Sequence, residues 1–197
     1  MAVSTKSLCL TKTESPIGDI LLVTDAGVLV SLDYAGYEHR MMRLLEKRYG
    51  AFSLNETSVE EKFTASIEGI AHQIQAYLAG DLTAIDTIPV NPGGTQFQSQ
   101  VWHALRSIPP GTTLSYGELA KQLGNPAAVR AVGTTNSLNP ISIVLPCHRV
   151  IGANGSLTGY AGGLERKRWL LQHEGVDIAQ PNKPKQQLNQ QLSLLEN

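Results

Sequence analysis

At 197 residues, with 42% hydrophobic and 17% charged residues and a formal net charge of −1, the chain can hold one large domain or two small ones, each burying a core. No window approaches 18 uninterrupted apolar residues, and Met1-Ala2-Val3-Ser4-Thr5-Lys6 lacks the apolar stretch of a secretion signal. Membrane-spanning and secreted classes are set aside, and a cytoplasmic location is expected in which Cys9 and Cys147 stay reduced. No second cysteine or nearby histidine completes a zinc set around Cys9, so no metal is expected. The small net charge conceals a division near Gly94: residues 1–94 carry 7 Lys/Arg against 12 Asp/Glu, and residues 95–175 carry 7 against 3. That polarity suits a nucleic-acid partner for the second segment alone, although a solvated surface explains so small an excess nearly as well.

Residues 6–33 alternate around turn residues: Leu8 and Leu10, then Ile20-Leu21-Leu22-Val23, then Val28-Leu29-Val30, with Asp25-Ala26-Gly27 as a tight reversal. A small antiparallel sheet is predicted, with Cys9 a strand residue in a core. Helical periodicity follows over 38–49 and again over 57–79, where Val59, Phe63, Ile67, Ile70, Ile74, Tyr77 and Leu78 keep three-to-four spacing before Gly80. Strands then helices in this order predict an α+β N-terminal domain. Pro89-Val90-Asn91-Pro92-Gly93-Gly94 reads as a linker, which places domains at 1–93 and 94–177.

Past the linker, Thr95 and Gln98 have capping-box spacing, and Phe97, Val101, Ala104, Leu105 and Ile108 line one face of the helix they start. Ser115 and Glu118 repeat the spacing ahead of Leu119, Ala120 and Leu123, Gly124 stops that helix, and Asn125-Pro126 restarts one. The pair is a helix-turn-helix candidate whose second member spans 127–137. That member is built from Ala127, Ala128, Ala131, Gly133, Thr134, Thr135 and Ser137 around one long cation, Arg130. Such a helix can approach a partner surface closely, or it can be a close-packed internal helix whose arginine snorkels to solvent; these residues alone leave both readings open.

The run Ile141-Ser142-Ile143-Val144-Leu145, fenced by Pro140 and Pro146, is too short for an amphipathic helix and is expected to be buried in extended or irregular form. It delivers Cys147 beside His148. A thiol fixed next to an imidazole has a proton acceptor that can raise its thiolate fraction, but an inert packing cysteine fits the same dipeptide. The stretch 152–163 carries five glycines without the pattern of a phosphate or dinucleotide cradle, and reads as a flexible loop over a pocket. Trp169, Leu170 and Leu171 anchor a last helix ending at His173-Glu174-Gly175, whose Glu174 is of the kind that is usually solvated. Residues 178–197 read as a disordered or weakly helical tail.

From about Gly94 to Gly175 the chain closely resembles the C-terminal domain of the O6-alkylguanine-DNA alkyltransferases. The resemblance rests on Ser115-Tyr116-Gly117-Glu118-Leu119-Ala120, Gly124-Asn125-Pro126, Val129-Arg130-Ala131-Val132-Gly133, Asn139-Pro140-Ile141, Pro146-Cys147-His148-Arg149-Val150, Gly159-Tyr160-Ala161-Gly162-Gly163 and Trp169 to Gly175. The N-terminal part is similar in layout to the family's ribonuclease-H-like domain. The motif order and single reactive-cysteine motif resemble the small constitutive bacterial type.

The resemblance implies a monomer that repairs double-stranded DNA without a cofactor. Cys147 would take the alkyl group from O6-alkylguanine, and from O4-methylthymine, once per molecule, with the base swung out of the duplex. His148 would accept the thiol proton through a water, Glu174 would orient the imidazole, and Tyr116 would protonate the departing base. Arg130 would fill the gap in the duplex while Ala128, Ala131, Thr135 and Tyr116 contact DNA in the minor groove. Asn139 would be the hinge between that helix and the reactive segment. Val150, Tyr160, Ala161 and Ser142 would line the guanine pocket. Ser142 and Ala161 replace a proline and a serine of the animal members, which implies acceptance of methyl and small alkyl groups and weaker reaction with benzyl groups. An alkyltransferase-like binding protein would lack the acceptor cysteine, and a Cys-His hydrolase would turn over.

Overall fold

The computed structural model describes residues 5–55 and 61–178. Strands β1 (Lys6–Thr13), β2 (Ile20–Asp25) and β3 (Val28–Tyr34) form the antiparallel meander expected from the alternation. Ala26 and Gly27, both at positive φ, supply the two-residue reversal whose twist suits a hairpin. After helix α1 (Glu38–Tyr49) the chain adds β4 (Phe52–Asn55), parallel to β1, so the sheet is mixed and its order is β3-β2-β1-β4. Four residues after Gly50 are too short a run to show a period, which is why this strand escaped the sequence reading. Cys9 lies in β1 as expected but is only partly buried, opposite Thr24 and Asn55, and does not belong to a core.

Alternation in β2 sends Ile20 and Leu22 to one face of the sheet and Leu21 and Val23 to the other. A register shift at Val23/Thr24 leaves Val30 without a partner, so Leu29, Leu32 and Tyr34 all reach the same face as Ile20 and Leu22. Helix α1 covers the opposite face with Met41 and Leu45. Helix α2 (Glu61–Leu78) brings Ile70, Ile74, Tyr77 and Leu78 to the first face; the start of its predicted stripe, at Val59, lies outside the described residues. The second half of the chain packs onto that same face, and Val101, Trp102, Leu105, Leu119 and Val132 complete one continuous core. The two halves therefore share this core, while the cluster beneath α1 belongs to the first half alone.

Helix α3 (Gln96–Arg106) starts on a reciprocal capping box between Thr95 and Gln98, and α4 (Tyr116–Gln122) on one between Ser115 and Glu118, as the spacing predicts. Gly124, at φ +73, closes α4, and its N–H donates to Lys121 O while that of Asn125 donates to Ala120 O. A 3-10 turn over Pro126–Ala128 then leads into α5 (Val129–Ser137). Leu114–Ser115 (β5) and Val150–Ile151 (β6) pair in parallel, and α6 (Leu164–His173) closes the described chain. Among the described residues no helix is long and apolar enough to cross a membrane. The predicted tail beyond residue 178 lies outside the described residues.

Candidate active site

The open edge of β3 positions the site. Leu29 N–H donates to Pro89 O and Asn91 N–H to Leu29 O, which pins the linker. Further along, Leu32 N–H donates to Pro140 O and Ser142 N–H to Leu32 O, so the reactive segment docks on the same strand. Proline suits both places, since each needs only its carbonyl. Ile141 to Leu145 are all buried in irregular form, as expected. Val144 N–H donates to Ser142 O across Ile143, whose φ is +68, and Cys147 N–H donates to Leu145 O across Pro146. These are two γ-turns in succession. A β-branched residue at positive φ costs about 1–3 kcal/mol, and surrounding contacts must hold it there.

Those contacts come from two asparagines. Asn139 donates through Nδ2 to Leu145 O (2.7 Å) and accepts at Oδ1 from Ile141 N–H (3.0 Å), bracketing the tight turns. Asn136, on α5, donates through Nδ2 to Cys147 O (3.2 Å). Arg40 of α1 is buried against Asp33 and donates to the carbonyls of Ser137 and Asn139, tying the end of α5 to the sheet.

Cys147 is 3% exposed, at the start of a 3-10 turn over Cys147–Arg149. Burial pushes its thiol up, against the opposing influence of the Asn139 side chain and the charges of Lys167 and Arg40. That direction favours the thiol over the thiolate at rest. Lys167 is itself buried, donating to Val150 O (2.7 Å) and Thr158 O (2.8 Å), and burial brings its pKa down to about 8 against the raising effect of Cys147.

The two residues after Cys147, His148 and Arg149, enter a network centred on Glu174. This carboxylate is 4% exposed, not solvated. Its Oε1 accepts from His148 Nε2 (2.9 Å), Tyr77 OH (2.7 Å) and Arg149 Nη2 (2.8 Å), and its Oε2 accepts from Arg149 Nε (2.9 Å). Burial alone would push Glu174 up, but the His148 and Arg149 donors outweigh it and hold the acid well below the usual carboxylate range. Burial lowers His148 from its ordinary value, against the raising effect of Glu174. A neutral imidazole facing an ionised carboxylate carries its proton on Nε2, which leaves Nδ1 as the base. Nδ1 is buried and has no hydrogen-bond partner among the described residues.

The other predicted residues surround this centre. Tyr116 sits at the start of α4 between Gly133 of α5 and the glycine loop, its hydroxyl donating to Thr158 O (3.2 Å). Val150, Ser142 and Tyr160 are buried and Ala161 is partly so. On α5 and the turn before it, Ala127, Val129, Arg130, Ala131 and Thr134 are exposed and Ala128 is partly buried. Thr135 departs from expectation: it is 4% exposed, and its carbonyl accepts from Trp102 Nε1 (2.9 Å). One residue of helical rotation from Thr134 turns it into the core, so it leaves the exposed face.

Two matches cover most of the chain. The ribonuclease-like domain of 6-O-methylguanine DNA methyltransferase matches residues 8–92, and the DNA-binding domain of the same family matches residues 96–176. This chain belongs to the 6-O-methylguanine DNA methyltransferase family. A methylated-DNA–protein-cysteine methyltransferase of Shigella flexneri is 46% identical over 165 residues, 83% of this chain and 94% of the relative. The Salmonella typhimurium protein of that name is 47% identical over the same shares. Among solved structures, the O6-methylguanine methyltransferase of Mycobacterium tuberculosis has a TM-score of 0.67 at 37% identity, covering 95% of this chain and 99% of that one. The OGT of that organism in complex with DNA has a TM-score of 0.68 at 41% identity, covering 84% and 92%.

In this member of the family, Tyr77, Arg149, Lys167, Arg40 and Asn136 join the site although none was assigned a role from sequence. Tyr77 falls in an apolar helical stripe, a pattern that marks core. Arg149 adjoins the Cys-His pair, and a cation beside a nucleophile motif was the one signal available. Lys167 and Arg40 sit among other charged residues and carry no mark of burial in their spacing.

Proposed function

We propose that the protein repairs DNA directly by moving an alkyl group from O6 of guanine to Sγ of Cys147. The carrying observation is a buried thiol next in sequence to a buried histidine whose Nε2 donates to an ionised glutamate and whose Nδ1 has no hydrogen-bond partner among the described residues. His148 takes the thiol proton through a water as the sulfur attacks the alkyl carbon; the C–O bond breaks as the S–C bond forms. Tyr116 protonates the departing base. The product is a thioether, which has no easy leaving route, so each molecule acts once. The same pocket is expected to admit O4-methylthymine. A Cys-His hydrolase would instead release its product through water. Excess lesion-bearing duplex should therefore be repaired to one equivalent of protein and no further; continued repair beyond it would overturn the reading.

We further infer that the protein acts as a cytoplasmic monomer on double-stranded DNA; the excess of 7 Lys/Arg over 3 Asp/Glu in residues 95–175 supports the DNA partner. Support for minor-groove contact comes from the exposed small side chains of α5 and its leading turn, which allow close approach, and from Val129, one of two large apolar side chains exposed among the described residues. Arg130, exposed on that face, replaces the extruded nucleotide. Arg130→Ala is expected to slow repair of duplex DNA about tenfold while sparing reaction with free O6-alkylguanine base, because only the duplex demands unstacking. Equal losses on both substrates would remove Arg130 from that role.

A further inference from the structure

The glycine loop that brings Tyr160 to the site is clamped from the N-terminal sheet. Tyr34, the last residue of β3, is fully buried, and its hydroxyl lies 2.7 Å from that of Tyr160 with the rings tilted at 57°. Gly162 lies against the Tyr34 ring so closely that a β-carbon there would come within 2.7 Å of Tyr34 Cδ2 and 2.9 Å of Tyr160 Cε1. Arg166 covers the Tyr34 ring at 4.6 Å, and donates to Ile17 O (2.7 Å) and Gly162 O (2.8 Å). The loop's glycines at positive φ, Gly159 and Gly163, would otherwise allow Tyr160 to swing. Tyr34, Tyr160 and Cys147 belong to one buried cluster, and burial pushes both phenols up, so both hydroxyls remain protonated. Ser142 is buried too, on the segment that leads to Cys147.

We propose that Tyr34 is a positioning residue that limits the size of the alkyl group, fixing Tyr160, which shares a buried cluster with Cys147, through their common hydrogen bond. The inference rests on the alkyl-transfer reading above. A methyl group passes with the bond intact. A benzyl group must push Tyr160 aside and break it, at a cost that the burial of both phenols raises. The family resemblance implies size selection by Ser142 and Ala161; Tyr34 acts from the other half of the chain.

The test uses the full chain and oligonucleotides carrying O6-methylguanine or O6-benzylguanine, with rate constants taken per reactive molecule so that any unfolded fraction cancels. Tyr34→Phe is expected to raise the benzyl-to-methyl ratio about fivefold, the scale of one net hydrogen bond. Tyr160→Phe breaks the same bond from the other side and should raise the ratio similarly, and adding Tyr34→Phe to it should change nothing more. A purely structural role for Tyr34 would lower both rates together. An unchanged ratio in a protein that still takes up methyl groups overturns the proposal, as does an equal rise whether or not Tyr160 keeps its hydroxyl. Failure of the unsubstituted protein to take up either group would sink the alkyl-transfer reading itself.

Discussion

Glu174→Gln is expected to slow alkyl transfer by about a hundredfold or more, the scale seen when the residue orienting a catalytic histidine loses its charge. Four donors converge on the Glu174 carboxylate. An amide of the same shape offers one acceptor oxygen and turns two N–H groups toward those donors, so the imidazole loses the partner that fixes its proton on Nε2. Glu174→Ala is expected to cost stability as well, about 3–5 kcal/mol, because Arg149 is left charged and buried. A lowered urea midpoint with unchanged slope would register that loss. Transfer at the original rate in Glu174→Gln would reduce the carboxylate to a structural part.

The sign of the pH response follows from the same network. His148 titrates below its ordinary 6.5, so the imidazole stays neutral through neutral pH and transfer should fall only at a midpoint below 6.5. Glu174 is depressed below 4.5 in the folded protein, so its contribution to stability is fully present above that value and is lost as pH falls through the folded pKa. A midpoint above 6.5 for transfer would contradict a neutral His148.

Asn139→Ala is expected to be the most damaging change at the hinge. It removes the acceptor for Ile141 N–H and the donor to Leu145 O, both buried, and each orphaned group costs about 1–3 kcal/mol. Destabilisation should be about 3 kcal/mol by urea denaturation, with transfer slowed about tenfold as the γ-turn that presents Cys147 loosens. A shift below 1 kcal/mol would mean that the turns hold themselves.

Local signals were legible in the sequence and distant ones were not. The capping boxes at Thr95/Gln98 and Ser115/Glu118, the Ala26-Gly27 reversal and the buried run before Cys147 each depend on neighbours within a few residues, and each formed as read. Cys147 and His148 adjoin, so the reactive pair was visible too. Glu174 gained its place only through the family resemblance, because its donors arrive from α2 and from the turn after Cys147, 97 and 25 residues away. Tyr77 and Tyr34 could not be told from core aromatics, since spacing reports which face a residue shares and not what its hydroxyl meets. Thr135 failed for the opposite reason: small residues all round α5 left the sequence no stripe by which to separate its buried side from its exposed one.

The most direct test of the central claim is the intact mass of the protein after exposure to duplex DNA carrying O6-methylguanine, followed by mapping of the modified peptide. The account expects a gain of one methylene unit, confined to the peptide holding Cys147 and absent in Cys147→Ala. Loss of the lesion with Cys147 unmodified, or one molecule clearing many lesions, would contradict it.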